Sequence, residues 1–300
     1  MLFQKRPEAA WGQISDTLQQ SAGSGKIINR QSISGGSINS AYRIDTESNH
    51  SFFVKLNREA LLPMFEAEME GLNELRKPSA IRVPKPTLCG AGQEYAWIVT
   101  EFIPFGRGGG DSEALFGQQF AAMHRYSSGR FGWHRDNTIG STPQINRWDD
   151  NWIDFYRDQR LGFQLDLAAE NGFRGSLQDK GVQLQANLSS FFESYKPESS
   201  LMHGDLWGGN KGVDKAGNPV VFDPAVYYGD RESDLAMTSL FGGFSSRFYD
   251  AYNEAWPLDE GYSVRKILYN LYHILNHANL FGGGYAMQAE TMMDQLLSEL

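Results

Sequence analysis

Strand-forming segments crowd the first hundred residues of this sequence, whereas beyond Pro104 the apolar residues recur at helical spacing. A chain patterned that way is expected to be α+β, a small antiparallel sheet with one helix followed by a larger, mainly helical body. Residues 27–33, 41–45 and 52–54 have β-branched or aromatic content, and Gly35-Gly36-Ser37-Ile38-Asn39-Ser40 forms a turn between the first two. A helix is expected from about Pro63 to Lys77, then strands near 86–89 and 95–103. Gly106 to Gly110 reads as a flexible connector, which divides the chain into lobes 1–103 and 104–300. Helical pattern follows at about 112–126, 150–171, 176–195, 232–240, 263–281 and 285–299, broken by a β-like stretch near 201–223.

Charge narrows the function. The 300 residues carry a net charge of -9 with the acidic residues dispersed, so no basic stripe is available for nucleic acid. No apolar run reaches the roughly 18 to 20 residues that cross a bilayer, and the opening MLFQKRPEAAW lacks the apolar core of a secretory signal. A soluble cytoplasmic protein with no membrane partner is expected. Cys89 is the sole cysteine, which rules out an intrachain disulfide or a cysteine-held zinc and leaves a buried, inert thiol as the expectation.

The segment Leu201-Met-His-Gly-Asp-Leu-Trp-Gly-Gly-Asn210, followed by Val220-Val-Phe-Asp-Pro224, carries the most chemistry. It sets two carboxylates and a carboxamide on tight, glycine-bearing turns at the ends of apolar strands. Phosphoryl transfer uses that set: one carboxylate accepts a hydroxyl proton, while a second carboxylate and a neutral oxygen hold magnesium against a triphosphate. The order Asp, Asn, Asp resembles the catalytic loop and metal aspartate of protein kinases. Asp205 is therefore the candidate base, and Asn210 and Asp223 are the candidate magnesium ligands, with ATP as cosubstrate. The plain alternative is a turn followed by a strand end.

The amino-terminal half supplies possible nucleotide contacts. Lys55 closes the apolar run Phe-Phe-Val, where a cation needs a partner. On the following helix Phe65, Glu68, Leu72 and Leu75 share one stripe, with Glu66, Glu70 and Glu74 expected on the opposite, solvated side. A Lys55–Glu68 pair would resemble the strand lysine and helix glutamate that orient nucleotide phosphates. Without it, Lys55 would snorkel from a sheet edge. Gly35, Gly36 and Ser37 are candidates to cover the phosphates with backbone N–H groups. Glu101, Phe102 and Ile103 would form a hinge whose main chain reads the adenine edge.

Other features have structural readings beside functional ones. Asp230, Arg231, Glu232 and Asp234 precede a helical run in which Asp234 suits an N-cap. Carboxylates here are expected to hold backbone N–H groups of the catalytic loop, the alternative being direct contact of Asp230 or Glu232 with substrate. His203 is expected to brace the loop. His273 and His277 share a helix face without a third ligand, so core or surface positions are favoured over a metal pair.

Together, His203-Gly-Asp-Leu-Trp-Gly-Gly-Asn210, Phe222-Asp-Pro-Ala225 and Gly229-Asp-Arg-Glu-Ser-Asp-Leu-Ala236 closely resemble the fructosamine kinase (ketosamine-3-kinase) family, related in fold to aminoglycoside phosphotransferases and choline kinases. The likeness extends through Gly35-Gly-Ser-Ile-Asn39, Phe52-Phe-Val-Lys55, Met64-Phe-Glu-Ala-Glu68, Val83-Pro-Lys-Pro86, Asp136 to Gln144 and Arg160-Leu-Gly-Phe-Gln164. It implies a two-lobed protein-kinase-like fold, with a nucleotide-binding first lobe and a catalytic, substrate-binding second. The implied reaction moves the ATP γ-phosphoryl to the 3-hydroxyl of a ketosamine, on a small molecule or a glycated protein lysine, in a deglycation or repair role. Trp207 would stack on the sugar or chain, or else anchor the loop. The Asp136 to Gln144 segment would bound the acceptor site or serve as scaffold. Ser37 stands where many eukaryotic members carry cysteine, which excludes a disulfide dimer through that loop and leaves a monomer or noncovalent dimer. Rival readings are a phosphotransferase for an aminoglycoside, choline or another alcohol, and a catalytically silent nucleotide-binding protein.

Overall fold

The computed structural model describes residues 8–34 and 38–300. Two compact units emerge: residues up to Glu74 together with Val83–Pro104, and Leu75–Arg82 together with Phe105–Leu300.

The first unit is a sheet with helices on its faces. Helix α1 (Glu8–Ala22) leads into β1 (Ile27–Ile33), β2 (Ser40–Thr46) and β3 (Ser51–Arg58); α2 (Leu62–Arg76) follows, then β4 (Pro86–Gly92) and β5 (Tyr95–Glu101). The strand order is β1-β2-β3-β5-β4, antiparallel throughout. Trp11, Ile14 and Leu18 of α1 form a buried cluster with Ile44, Val54, Leu56, Leu88, Trp97 and Val99. Residues two apart on a strand point to the same face, so Val54 and Leu56 face α1 and Lys55 between them faces away. The expectation from sequence contained no α1, although Trp11, Ile14 and Leu18 have the spacing of one helical face. Two other expectations need correction. Glu74 is 8% exposed and Glu66 and Glu70 are half-buried, because α2 is covered on more than one side. Cys89 is half-buried rather than sequestered, lying on the edge strand β4.

The second unit is mostly helical. It comprises α3 (Gly110–His124), the hairpin β6 (Asn137–Ile139) and β7 (Thr142–Gln144), then α4 (Trp152–Tyr156), which passes through a π-helical stretch Arg157–Gly162 into α5 (Phe163–Glu170). Helix α6 (Ser176–Ala186) precedes the short strands β8 (Ser200–Met202), β9 (Lys211–Val213), β10 (Pro219–Val221) and β11 (Tyr227–Gly229). The chain closes with α7 (Arg231–Leu240), α8 (Ser246–Ala255), α9 (Tyr262–Phe281) and α10 (Gly284–Leu297). Helix α8, which buries Phe248, Ala251 and Tyr252 and packs on α3, was not anticipated. The π turn aims the fully buried Arg160 at the carbonyl of Ile145 and, 2.7 Å away, Oδ1 of Asn146, with its guanidinium 4.2 Å from the Tyr227 ring centroid. The glycines after Pro104 are not a free connector. Phe105 bridges to Asp214 and stacks on Phe222, and Gly106 N–H donates to the Val213 carbonyl at 2.8 Å.

Candidate active site

Short strands bring the chemistry of the second unit to one place. β8 ends immediately before His203, β9 begins immediately after Asn210, and β10 ends just before Phe222-Asp223. β9 and β10 pair as a hairpin, so the Asp205–Asn210 loop and Asp223 are delivered to the same end of it. Phe222 N–H donates to the Asn210 carbonyl at 3.1 Å and locks the two segments together. The Asn210 amide nitrogen then donates to the Asp205 carbonyl at 2.9 Å, to Asp205 Oδ2 at 3.2 Å and to the Asp223 carbonyl at 3.4 Å. Asp205, Asn210 and Asp223 thus converge. With its nitrogen committed to Asp205, Asn210 presents Oδ1 as a neutral acceptor.

Backbone shape fixes this arrangement. Gly204 has φ +82°, and a Cβ there would run into the Ala225 carbonyl oxygen, so no other residue fits. Asp223 itself is left-handed at φ +57°, a conformation uncommon for a residue with a side chain and concentrated at functional sites. His203 Nε2 lies 3.0 Å from the Phe222 carbonyl and Nδ1 lies 3.3 Å from Asp205 N–H. A carbonyl only accepts, so Nε2 carries the hydrogen and Nδ1 receives the Asp205 amide. Burial lowers the basicity of His203, which favours this neutral form.

Below the loop lies a buried carboxylate. Asp234 accepts from His203 N–H at 2.6 Å, Gly204 N–H at 2.8 Å and His124 Nε2 at 3.2 Å. Burial alone would raise its pKa, but these donors, His124 foremost, bring it below the ordinary value. His124 Nδ1 meets the Tyr252 hydroxyl at 2.8 Å, and Arg231 donates to the same hydroxyl at 3.2 Å. If Nε2–H serves Asp234, Nδ1 must accept, so the proton inventory runs in one direction from Arg231 through Tyr252 and His124 to Asp234. The loop's support therefore includes α3 and α8, which nothing in the local sequence indicated: His124 lies 110 positions from Asp234.

Asp234 is not the N-cap of α7. That position belongs to Asp230, which accepts from Glu232 N–H at 3.0 Å as well as from the Tyr195 and Tyr269 hydroxyls at 2.8 and 2.5 Å. Glu232 forms a two-pronged pair with Arg265 at 2.7 and 3.1 Å. Asp230 and Glu232 are each 0% exposed, so neither is available to a substrate. The Asp136 to Gln144 segment braces the chain just beyond Asp223: Gln144 Nε2 donates to the Ala225 carbonyl at 3.1 Å and Asn137 Nδ2 to the Val226 carbonyl at 2.8 Å. His273 is buried and His277 half-buried, and no cluster of three or more His, Cys, Asp or Glu suited to a metal occurs among the described residues.

In the first unit, Lys55 is 7% exposed and its Nζ lies 2.7 Å from Glu68 Oε1. β3 places Lys55 on the face opposite the α1 core and α2 places Glu68 above it. Glu101 ends β5 and pairs through N–H with the Lys85 carbonyl at 2.8 Å; Phe102 follows, beneath the Arg43 guanidinium at 4.8 Å, and Ile103 is buried. Gly35, Gly36 and Ser37 lie outside the described residues. Trp207 is 41% exposed, its ring lying back over the Gly209 backbone. It is not a core anchor.

The donor set suits magnesium. The Asp223 carboxylate and Asn210 Oδ1 would be hard oxygen ligands, and two protein ligands would leave positions for phosphate oxygens and water, as magnesium prefers.

A sheet-bearing first unit with a buried Lys–Glu pair, and a helical second unit with an Asp-Asn-Asp turn cluster, define the protein-kinase-like class. The chain superposes with a TM-score of 0.62 on choline kinase LicA from Streptococcus pneumoniae, at 14% identity over 97% of this chain and 100% of that one. A model of the fructosamine kinase family matches residues 10–299, and the chain belongs to that family. It is 46% identical over 291 residues to a probable ketoamine kinase of Synechocystis, spanning 96% of this chain and 97% of the relative. A crystal structure of a candidate fructosamine-3-kinase from Haemophilus somnus superposes with a TM-score of 0.87 at 31% identity, over 96% of this chain and 97% of that one.

Proposed function

We propose that this protein is an ATP- and magnesium-dependent ketosamine 3-kinase, phosphorylating the 3-hydroxyl of a sugar joined through its ketoamine to an amine, as a deglycation or repair step. The observation that carries the reading is the convergence of Asp205 and Asp223 on Asn210, beside an exposed Trp207, in a member of the fructosamine kinase family.

Asp205 is the base. Burial, reinforced by the negative charge of Asp223 and opposed by the Asn210 hydrogen bond, pushes its carboxyl well above the ordinary range. A carboxylate with raised proton affinity is a better acceptor for a hydroxyl proton. The acceptor O–H gives its proton to Asp205 as its oxygen bonds to the γ-phosphorus, and the bond to the β,γ-bridging oxygen breaks to release ADP. Asn210 and Asp223 would hold the metal, which would supply neutralisation of the phosphate charge. Lys55, kept in place by Glu68, engages the nucleotide phosphates; Gly35, Gly36 and Ser37 cover them; and Glu101 to Ile103 read the adenine edge. The Trp207 indole stacks on the sugar. The lack of any helix among the described residues long and apolar enough to cross a membrane, together with the acidic balance, supports work in a soluble, cytoplasmic setting on a small ketosamine or a glycated lysine.

The deciding measurement is ATP consumption against a panel of ribulosamines, fructosamines, choline and aminoglycosides, with the product located by mass spectrometry. Ketosamine 3-phosphate is expected. Turnover confined to choline or an aminoglycoside, or nucleotide binding without turnover, overturns the reading.

A further inference from the structure

Beyond Trp207 an aromatic row continues along the surface of the second unit. Phe241, just past the end of α7, meets the Trp207 ring edge-on with centroids 6.5 Å apart and is itself 42% exposed. His277 of α9 lies 4.9 Å from Phe241, and the rings of Phe281 and Tyr285 lie 5.6 and 5.2 Å from His277. This neighbourhood is built rather than incidental. Gly243 has φ +100°, and a Cβ there would stand 2.8 Å from Gly208 Cα, so the loop after Phe241 rests directly on the loop that carries Trp207, Asp205 and Asn210. Large aromatic rings left half open beside a catalytic loop serve no core.

The chemistry of the row is specific. His277 Nδ1 lies 2.8 Å from the His273 carbonyl, which can only accept, so Nδ1 carries the hydrogen. With Nδ1 so engaged, Nε2 is the ring nitrogen left to meet a ligand, as an acceptor whenever the ring is neutral. Ring faces attract cations and cover methylene chains, and an acceptor beside them suits an N–H donor. A ketosamine offers that combination on the carbon beside its keto group: a secondary ammonium, then the carbon chain of the parent amine leading away from the sugar.

On the ketosamine reading above, we propose that Phe241 and His277, with the outer edge of Trp207, form the subsite for the ammonium and alkyl arm of the acceptor. Phe241 is then a specificity-determining residue that favours ketosamines of long-chain amines, such as a lysine side chain, over those of short amines. The sugar reaches Asp205; the arm lies along the row.

The test compares kcat/KM of the full-length protein for ribulosyl-Nα-acetyl-lysine and ribulosyl-methylamine. In Phe241→Ala the lysine-to-methylamine ratio is expected to fall about tenfold, chiefly through KM, the span of a lost apolar contact to the methylene chain that only the lysine compound carries, the ammonium being common to both. Phe241→Leu, which keeps apolar volume without the π face, should fall in between, and it decides the matter if the alanine variant does not fold. Equal losses on both substrates, or a ratio that does not move, overturns the subsite while leaving the kinase reading intact. If the unmodified protein phosphorylates neither ketosamine, the kinase reading and the subsite fall together.

Discussion

Asp205 occupies a loop whose atoms are almost fully committed: its amide goes to His203, its carbonyl and Oδ2 to Asn210. Substitution by Asn keeps the shape and removes the proton acceptor. Asp205→Asn is expected to bind nucleotide while losing roughly 100- to 10,000-fold in kcat, the usual span for a positioned base; single-turnover kinetics with a ketosamine check it, and unchanged turnover would refute the assignment. Lys55 is a different case. Its charge sits 2.7 Å from Glu68 in a buried setting, so Lys55→Met leaves a carboxylate without that partner as well as removing a phosphate contact. The expected outcome is a higher KM for ATP and a lower rate in the same assay, together with a lower melting temperature. A variant with ATP affinity and rate both intact would show that Lys55 does not orient nucleotide.

Elements matter here through what they anchor. Helix α7 begins on Asp230 and, one turn on, extends Asp234 to the N–H groups of His203 and Gly204. Asp234→Ala strands those two buried donors and His124. A loss of about 1 to 3 kcal/mol per stranded donor is the ordinary magnitude, so denaturant unfolding should shift strongly, and kcat should fall because the Asp205 loop loosens. Stability unchanged by this variant would mean the loop is held some other way. Helix α9 contributes a pH dependence. Burial, with the nearby His277 adding to it, pulls His273 down to about 3 from an ordinary value near 6.5. The unfolded chain therefore binds a proton in this window that the folded chain refuses, and stability is lost as pH falls from about 6.5 toward 3. Replacing His273 by Leu removes that contribution. Below about pH 6 the wild type should lose stability relative to His273→Leu by about 1.4 kcal/mol per pH unit, measured by urea unfolding at a series of pH values. A difference that does not vary with pH would show that His273 is accessible to protons in the fold.

At the scale of the molecule, ligand binding reaches the folding equilibrium by mass action. ATP at about 100 times its Kd should add roughly 2.7 kcal/mol and several degrees to the melting temperature. If Asn210 and Asp223 hold magnesium, chelating it should remove most of that shift; a shift indifferent to chelator would contradict their assignment. The split into sheet and helical parts was legible beforehand because period-2 and period-3.6 patterning are local properties. So were Asp205, Asn210 and Asp223, since their order along the chain reflects strand–turn chemistry, and so was the Lys55–Glu68 pairing, since a cation in a strand and a carboxylate on an apolar helix stripe each demand a partner. What lay out of reach depended on distance. Asp230 rather than Asp234 caps α7 because the helix begins at Arg231, which puts Asp234 inside its first turn, where it reaches the loop. The service of His124, and the placing of Phe241 beside Trp207 by the contact between Gly208 and Gly243, joins residues tens of positions apart or more. Local sequence was enough for the fold class and for the residues that converge at the candidate site, because those follow from neighbours along the chain. Only the tertiary structure decided which buried carboxylate steadies the loop and which rings stand open beside it, because hydrogen bonding and exposure are settled by the chain's packing against its distant parts.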